Sequence, residues 1–134
     1  MGVITEDMKQ LIDARRLAHV ATCSKGGVPN VSPRGSIRNV DDNTLVCGGG
    51  VEGKTYQNLK ENPRIAVEVT EREIYKSFQF KGTGNVENSG DLYDMMTEDF
   101  VSRGRPAPLY VIRIAVEDVY VNPPGSKVEA EGGC

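Results

Sequence analysis

The chain has 134 residues, and its 16 basic and 19 acidic side chains give a net charge of −3. This length predicts a single domain over residues 1–134, and the slightly acidic balance gives no reason to expect a nucleic acid or a membrane as a partner. No apolar run approaches the ~20 residues of a membrane-spanning helix, and three scattered cysteines and one histidine are typical of a reducing, cytoplasmic protein without disulfides or a metal site.

The chain opens with a predicted helix over residues 6–16. Thr5 is a suitable N-cap, acidic residues follow it in the first turn, and apolar residues then recur at helical spacing. From Leu17 the period changes to two, so LAHVATC (17–23) predicts a strand and SKGG (24–27) a hairpin turn. The next strand is predicted to run from about Val28 to Val40 and to end at a turn over residues 41–43.

This second strand carries a row of polar side chains on one face. The row consists of Asn30, Ser32, Arg34, Ser36 and Arg38. An ordinary solvent-facing strand would show the same alternation. However, Pro29 and Pro33 cannot donate to a ladder, so part of the strand is expected at an edge or a bulge, and Gly35 leaves room for a planar ligand.

The third strand, TLVC (44–47), leads into GGGVEGKT (48–55), which matches the phosphate-loop pattern through Gly48, Gly53, Lys54 and Thr55. The glycines, the N-terminus of a short helix over residues 54–62, and the two side-chain donors would suit any phosphate. A nucleoside triphosphatase would also need parallel strands joined by crossover helices. We therefore expect a phosphate site, with a nucleoside triphosphatase and a solvated glycine loop as alternatives.

The second half of the chain predicts two strands, a helix and a last strand. The strands are RIAVEVT (64–70) and SFQFKGTGNVE (77–87), the helix is capped by Ser89 and ended by Gly104, and the last strand covers residues 109–121. Residues 123–134 are expected to form a flexible tail. Because most strands are joined by tight turns, we predict a mainly β fold, with an antiparallel sheet closed or half-closed into a barrel and two or three flanking helices.

This arrangement resembles the pyridoxamine 5′-phosphate oxidase-like family of FMN-binding split barrels, especially its small, single-domain flavoproteins. Three stretches carry the resemblance: ARRLAHVATCSKGGVPNVSP (14–33), DDNTLVCGGGVEGKTYQNLKENPRIAVEV (41–69) and FQFKGTGNVE (78–87). The resemblance implies an antiparallel split β-barrel that binds FMN between the two protomers of a homodimer.

The resemblance also implies which residues contact the cofactor. Lys54 and Thr55 match the step that contacts the phosphate. Two further stretches match the strand facing the isoalloxazine ring and the strand end beside it, namely Arg34, Gly35, Ser36 and Ile37, and Cys47, Gly48, Gly49 and Gly50. The chain has no tryptophan and is short after its last strand, which departs from the full oxidase. Oxidation of pyridoxamine phosphate is therefore not expected.

The expected function is that of a flavin-dependent oxidoreductase acting on a small molecule, with NADH or NADPH as a possible electron donor. A non-catalytic flavin carrier is the alternative, and FAD or a deazaflavin stays open as the cofactor. Arg34 or Arg38 could stabilise the anionic reduced ring. His19 is interpreted as structural, because Cys23 lies about 13 Å further along the same strand, beyond hydrogen-bond reach. No catalytic side chain is assigned.

Overall fold

In the computed structural model, which describes residues 2–123 and 125–128, three helices and eight strands follow one another along the chain. The helices are α1 (Glu6–Arg15), α2 (Lys54–Glu61) and α3 (Asp91–Ser102). The strands are β1 (Ala18–Cys23), β2 (Pro29–Arg34), β3 (Arg38–Asp41), β4 (Thr44–Gly49), β5 (Arg64–Glu71), β6 (Lys76–Glu87), β7 (Tyr110–Asn122) and β8 (Ser126–Lys127).

All the described strand pairs are antiparallel, in the order β2-β1-β5-β6-β7-β4-β3, with β8 beside β7. The sheet is not closed, and its two edge strands, β2 and β3, are joined by the short segment 35–37. This is the split barrel that the sequence predicted. Pro29 and Pro33 both lie on the edge strand β2, where their missing N–H groups cost no ladder bond.

The barrel core is formed by the inward-facing apolar positions of the long strands. The alternation predicted for β5 is confirmed, since Ile65, Val67 and Val69 are all at most 4% exposed. α1 packs against this core through Met8 and Ile12. A second, smaller cluster forms on the outside of the barrel, where α3 packs on Val46 and Val111.

Two strand boundaries differ from the prediction. The single strand expected from Val28 to Val40 is two strands, because Gly35 and Ser36 form a turn that puts the Ile37 side chain in the core. Strand β4 runs on through Gly48 and Gly49, which the sequence placed in a loop. Their missing side chains let the rings of Phe100 and Tyr110 approach the strand.

The second-half helix and the tail also differ from the prediction. Gly90, rather than Ser89, is the N-cap of α3, and its φ of 101° favours glycine. Gly104 has a φ of 74° just beyond the last turn, as predicted for a helix C-terminus. The tail prediction is partly wrong, because Ser126–Lys127 forms β8 against β7 and Val128 packs on the core. Residues 124 and 129–134 of the predicted tail lie outside the described residues.

Candidate functional site

The inner face of β2 is polar, which is unusual for a barrel strand. Asn30, Ser32 and Arg34 are half-buried on this face, whereas Val31 on the outer face is 66% exposed. The sequence predicted this alternation over residues 30–34. Because β2 is an edge strand, its inner face closes no continuous apolar core, and its polar side chains can face the N-terminal end of α2. The region between these side chains and α2 is called the gap below.

Thr55 joins this polar row to the N-terminus of α2. Its hydroxyl lies 3.0 Å from Ser32 Oγ and accepts a hydrogen bond of 3.2 Å from Asn30 Nδ2, and the residue is only 3% exposed. Lys54 beside it is exposed and makes no hydrogen bond or ion pair through its side chain within residues 2–123 and 125–128. The first turn of α2 contains no acidic residue. Its free N–H groups and Lys54 therefore make this end of the gap favourable for an anion.

Arg34 lies at the other end of the row. Its Nη1 donates to the Gly48 carbonyl at 3.3 Å and to the Tyr110 hydroxyl at 3.4 Å, so it joins β2 to β4 and β7. Its Nε is buried and has no hydrogen-bond partner among the described residues. A buried guanidinium donor without a partner is costly, and a ligand acceptor in the gap would satisfy it.

The octapeptide GGGVEGKT does not form a phosphate loop. Gly48 and Gly49 pair with Val111 and Tyr110 in an antiparallel ladder, so only residues 50–53 connect β4 to α2. The parallel sheet that a nucleoside triphosphatase requires is not found among the described strands. That alternative is therefore wrong, although the end of the octapeptide does place Lys54 and Thr55 in the first turn of α2.

The side chains of three predicted site residues, Ser36, Ile37 and Cys47, are buried. Ile37 and Cys47 are 0% exposed in the barrel core. Burial raises the pKa of the Cys47 thiol to about 11, against the opposing effect of the Arg34 guanidinium. Ser36 is buried and accepts a hydrogen bond of 2.9 Å from the Gly48 N–H. In contrast, a Cβ at Gly35 or Gly50 would meet nothing within 4 Å, so both positions are open.

Arg38, proposed from sequence as an alternative to Arg34, belongs to a different cluster. It forms an ion pair with Asp99 of α3 at 3.3 Å. Arg16 and Arg103 pair with the same carboxylate at 3.2 and 3.3 Å. The turn at residues 35–37 breaks the alternation that would have put Arg34 and Arg38 on one face, so only Arg34 remains beside the polar row.

Sequence reasoning missed a second concavity, which lies between α2 and the adjoining ends of β6 and β7. It has a volume of about 320 Å³, and its walls include Tyr56 of α2 and Tyr110 of β7. The Tyr110 hydroxyl also accepts the hydrogen bond from Arg34, so it links this concavity to the polar row of β2. No local sequence motif predicts such a site, because its walls come from segments that lie more than 20 residues apart in the chain.

His19 is exposed on β1, opposite Pro33 of β2 and Glu68 of β5. In the described part of the chain, no three His, Cys, Asp or Glu side chains are grouped as a metal ion would require. None of the described helices is long and apolar enough to cross a membrane.

Comparison with known proteins supports the fold and places the chain in a family. Residues 4–122 match the family model described as pyridoxamine 5′-phosphate oxidase. HupZ of group A Streptococcus is 31% identical, with a TM-score of 0.87, and the alignment covers 94% of this chain and 99% of HupZ. An uncharacterized protein of Methanocaldococcus jannaschii is 27% identical over 121 residues, which cover 87% of this chain and 79% of that protein.

Two more distant structures share the fold alone. An FMN-binding protein from Syntrophomonas wolfei is 15% identical with a TM-score of 0.73, covering 85% of this chain and 82% of its own. HutZ, the heme storage protein of Vibrio cholerae, is 17% identical with a TM-score of 0.70, covering 90% of this chain and 95% of its own.

Proposed function

We propose that this chain, which belongs to the pyridoxamine 5′-phosphate oxidase family, binds FMN in the gap between β2 and α2. The fold is shared with an FMN-binding protein, and a single phosphate group suits the single anion-favourable helix end. The observation that carries the proposal is the polar row itself. It runs from Thr55 past Ser32 to Arg34, whose buried Nε has no hydrogen-bond partner within residues 2–123 and 125–128.

The residues of the gap fit the two ends of FMN. Lys54 and the first-turn N–H groups of α2 would hold the phosphate, while Thr55 is fixed by the two polar side chains of β2. The open backbone at Gly35 and Gly50 leaves room for a flat ring. Arg34 would donate to that ring, which would supply the missing partner of its Nε.

Bound FMN would supply the electron chemistry, and the protein would supply binding, orientation and electrostatics. The proposed activity is that of an oxidoreductase that acts on a small molecule, with NADH or NADPH as electron donor. The Arg34 guanidinium would favour negative charge on the reduced ring. Steady-state oxidation of NADH or NADPH with a soluble acceptor separates this enzyme from a flavin carrier, which would hold reduced flavin without turnover.

Two further parts of the proposal concern the setting of the protein. A homodimer would cover the exposed edge of β2, where Val28 and Val31 are more than 60% exposed. The cytoplasm is the proposed compartment, because Cys23 and Cys47 are both free thiols.

The direct test is a titration of the purified protein with FMN, followed by visible absorption and by quenching of flavin fluorescence. Lys54→Ala should weaken FMN binding about tenfold, the effect of losing one charge-assisted phosphate contact. Lys60→Ala is the matched control, because Lys60 is an exposed lysine in the last turn of the same helix. Equal FMN affinity in the wild type and in Lys54→Ala would show that the phosphate does not bind at this helix end.

Heme is the competing ligand, because HutZ shares the fold and is a heme storage protein. The same protein should therefore be titrated with hemin. A strong Soret band together with no response to FMN would overturn the flavin proposal and assign the gap, or another surface, to heme.

A further inference from the structure

The concavity between α2 and β6–β7, here called the tyrosine cleft, has the construction of a small-molecule site. Its volume of about 320 Å³ lies within the range of ligand pockets. Tyr56 forms one wall, and its ring packs on the almost fully buried ring of Tyr110, with centroids 4.9 Å apart and planes tilted by 51°. Leu59 and Val86 complete the apolar surface. Such a wall favours a planar aromatic ring, which can extend the tilted stack.

The charged groups of the cleft come in both signs. Lys60 Nζ lies 5.1 Å above the Tyr56 ring, and Glu52 lies at the rim. Neither charged group forms an ion pair within the part of the chain that the structure describes. The amides of Asn85 and Asn88 add neutral donors and acceptors at the rim. The cleft thus presents one unpaired cation and one unpaired anion beside an aromatic wall.

We propose that the tyrosine cleft binds a small aromatic zwitterion, a planar ring that carries one anionic and one cationic substituent. The ring would pack on Tyr56, the anion would meet Lys60, and the cation would meet Glu52. A singly charged ligand would meet only one of these two exposed groups, whereas a zwitterion would gain a charge-assisted contact with each. Complementarity of charge therefore favours a ligand that carries both.

This site is separate from the proposed flavin site. Arg34, Lys54 and Thr55 do not line the cleft, and Tyr110, which does, contacts Arg34 through its hydroxyl. The inference does not depend on FMN binding. Because the Tyr110 hydroxyl accepts a hydrogen bond from Arg34, a ligand that shifts the Tyr110 ring would also be sensed on the flavin side.

The test uses three probes with the same ring, namely 4-(aminomethyl)benzoate, benzoate and benzylamine, each titrated into ¹⁵N-labelled protein. The expected result is that the zwitterion binds about tenfold more tightly than either singly charged probe, since one charge-assisted contact contributes roughly a factor of ten. Its amide shifts should concentrate at residues 84–86, 88, 109 and 110, which line the cleft.

Single-charge variants make the test specific. Lys60→Gln should weaken the zwitterion and benzoate but leave benzylamine unchanged, and Glu52→Gln should weaken the zwitterion and benzylamine but leave benzoate unchanged. Lys76→Gln is the matched control, because Lys76 Nζ also lies 5.1 Å above an aromatic ring, that of Phe78, outside the cleft. It should leave all three affinities unchanged.

The proposal is overturned if the zwitterion produces no shifts at the cleft, if the shifts fall on β2, or if Lys60→Gln and Lys76→Gln have equal effects. Neither cleft variant is expected to change FMN affinity. The cleft proposal and the flavin proposal are therefore tested by separate titrations, and one can fail without the other.

Discussion

The two described thiols show how position decides the chemistry of a residue type. Cys47 is fully buried in the barrel core, whereas Cys23 at the end of β1 is half-buried. Burial raises the pKa of Cys47 to about 11, because the thiolate would lose its hydration. Cys47 therefore acts as a small apolar side chain in the core and not as a nucleophile beside the site.

This difference predicts the order of thiol modification. In a Cys134→Ser background, an aromatic disulfide reagent at about pH 8 should modify Cys23 in the native protein. Cys47 should react only when the protein unfolds. Mass spectrometry of the modified peptides measures both sites, and rapid labelling of Cys47 under native conditions would contradict its burial.

The raised pKa also predicts a loss of stability at alkaline pH. Between the ordinary value of 9.0 and about 11, the unfolded chain releases the Cys47 proton while the folded chain retains it. The free energy of unfolding should therefore fall as the pH rises through this window, by about 1–3 kcal/mol. Urea unfolding measures this fall, and Cys47→Ala should reduce it. An equal pH dependence in both proteins would exclude Cys47 as its source.

At the scale of elements, Asp99 connects three segments that are distant in sequence. It lies on α3 and pairs with Arg16 after α1, with Arg38 of β3 and with Arg103 beyond the end of its own helix. The Asp99 side chain is only 15% exposed, so its removal would leave three guanidinium groups close together without a compensating charge.

Asp99→Asn should therefore lower the free energy of unfolding by about 1–2 kcal/mol, a value reduced by the partial exposure of the arginines. Glu117→Gln is the comparison, since the Arg64–Glu117 pair has both side chains at least half exposed. That variant should cost less than about 0.5 kcal/mol. Chemical denaturation measures the free energy of unfolding of both variants. Equal losses of stability would show that the three-arginine arrangement contributes no more than an exposed ion pair.

The glycines of GGGVEGKT differ in how closely they are packed. Gly48→Ala should destabilise the protein by about 1–3 kcal/mol, because the new Cβ would lie 2.7 Å from the Phe100 ring. Gly50→Ala should change stability by less than about 0.5 kcal/mol, since its Cβ would enter open space. Thermal unfolding of the two variants tests this. A stable Gly48→Ala variant would mean that β4 and α3 are not tightly packed.

The elements that sequence predicted well are those specified by local patterns. The alternation of β5, the turn after β1 and the helices α1 and α2 all follow from neighbouring residues. The errors arose where distant packing decided the structure. Burial of Ile37 and the hydrogen bond from Gly48 to Ser36 set the turn that divides the predicted second strand. The aromatic rings beside Gly48 and Gly49 explain why a loop-like sequence forms a strand.

The candidate site follows the same division. Lys54, Thr55 and Arg34 could be named from the motif and the polar alternation, and in the structure Thr55 contacts Ser32 of β2, the strand that also carries Arg34. The burial of the Cys47 and Ile37 side chains became visible only with the core. The tyrosine cleft required the contact between α2 and β7, which no local pattern contains.

At the scale of the whole molecule, the exposed face of the edge strand β2 leads us to predict that two copies of the chain associate through side-chain contacts. Val31 is 66% exposed on its outer face, while Pro29 and Pro33 oppose extension of the sheet by hydrogen bonding. Light scattering should therefore give twice the chain mass of 14.6 kDa. Val31→Lys should shift this mass towards the monomer, because two copies of the new charge would meet at a symmetric interface.

Ile74→Lys is the control for this experiment, since Ile74 has the same 66% exposure but lies in the turn between β5 and β6. It should leave the dimer intact. If FMN lies between protomers, Val31→Lys should also weaken FMN binding although it leaves Lys54 and Arg34 unchanged, and higher protein concentration should restore it. A monomeric wild type with full FMN affinity would show instead that one polar row is sufficient to hold the cofactor.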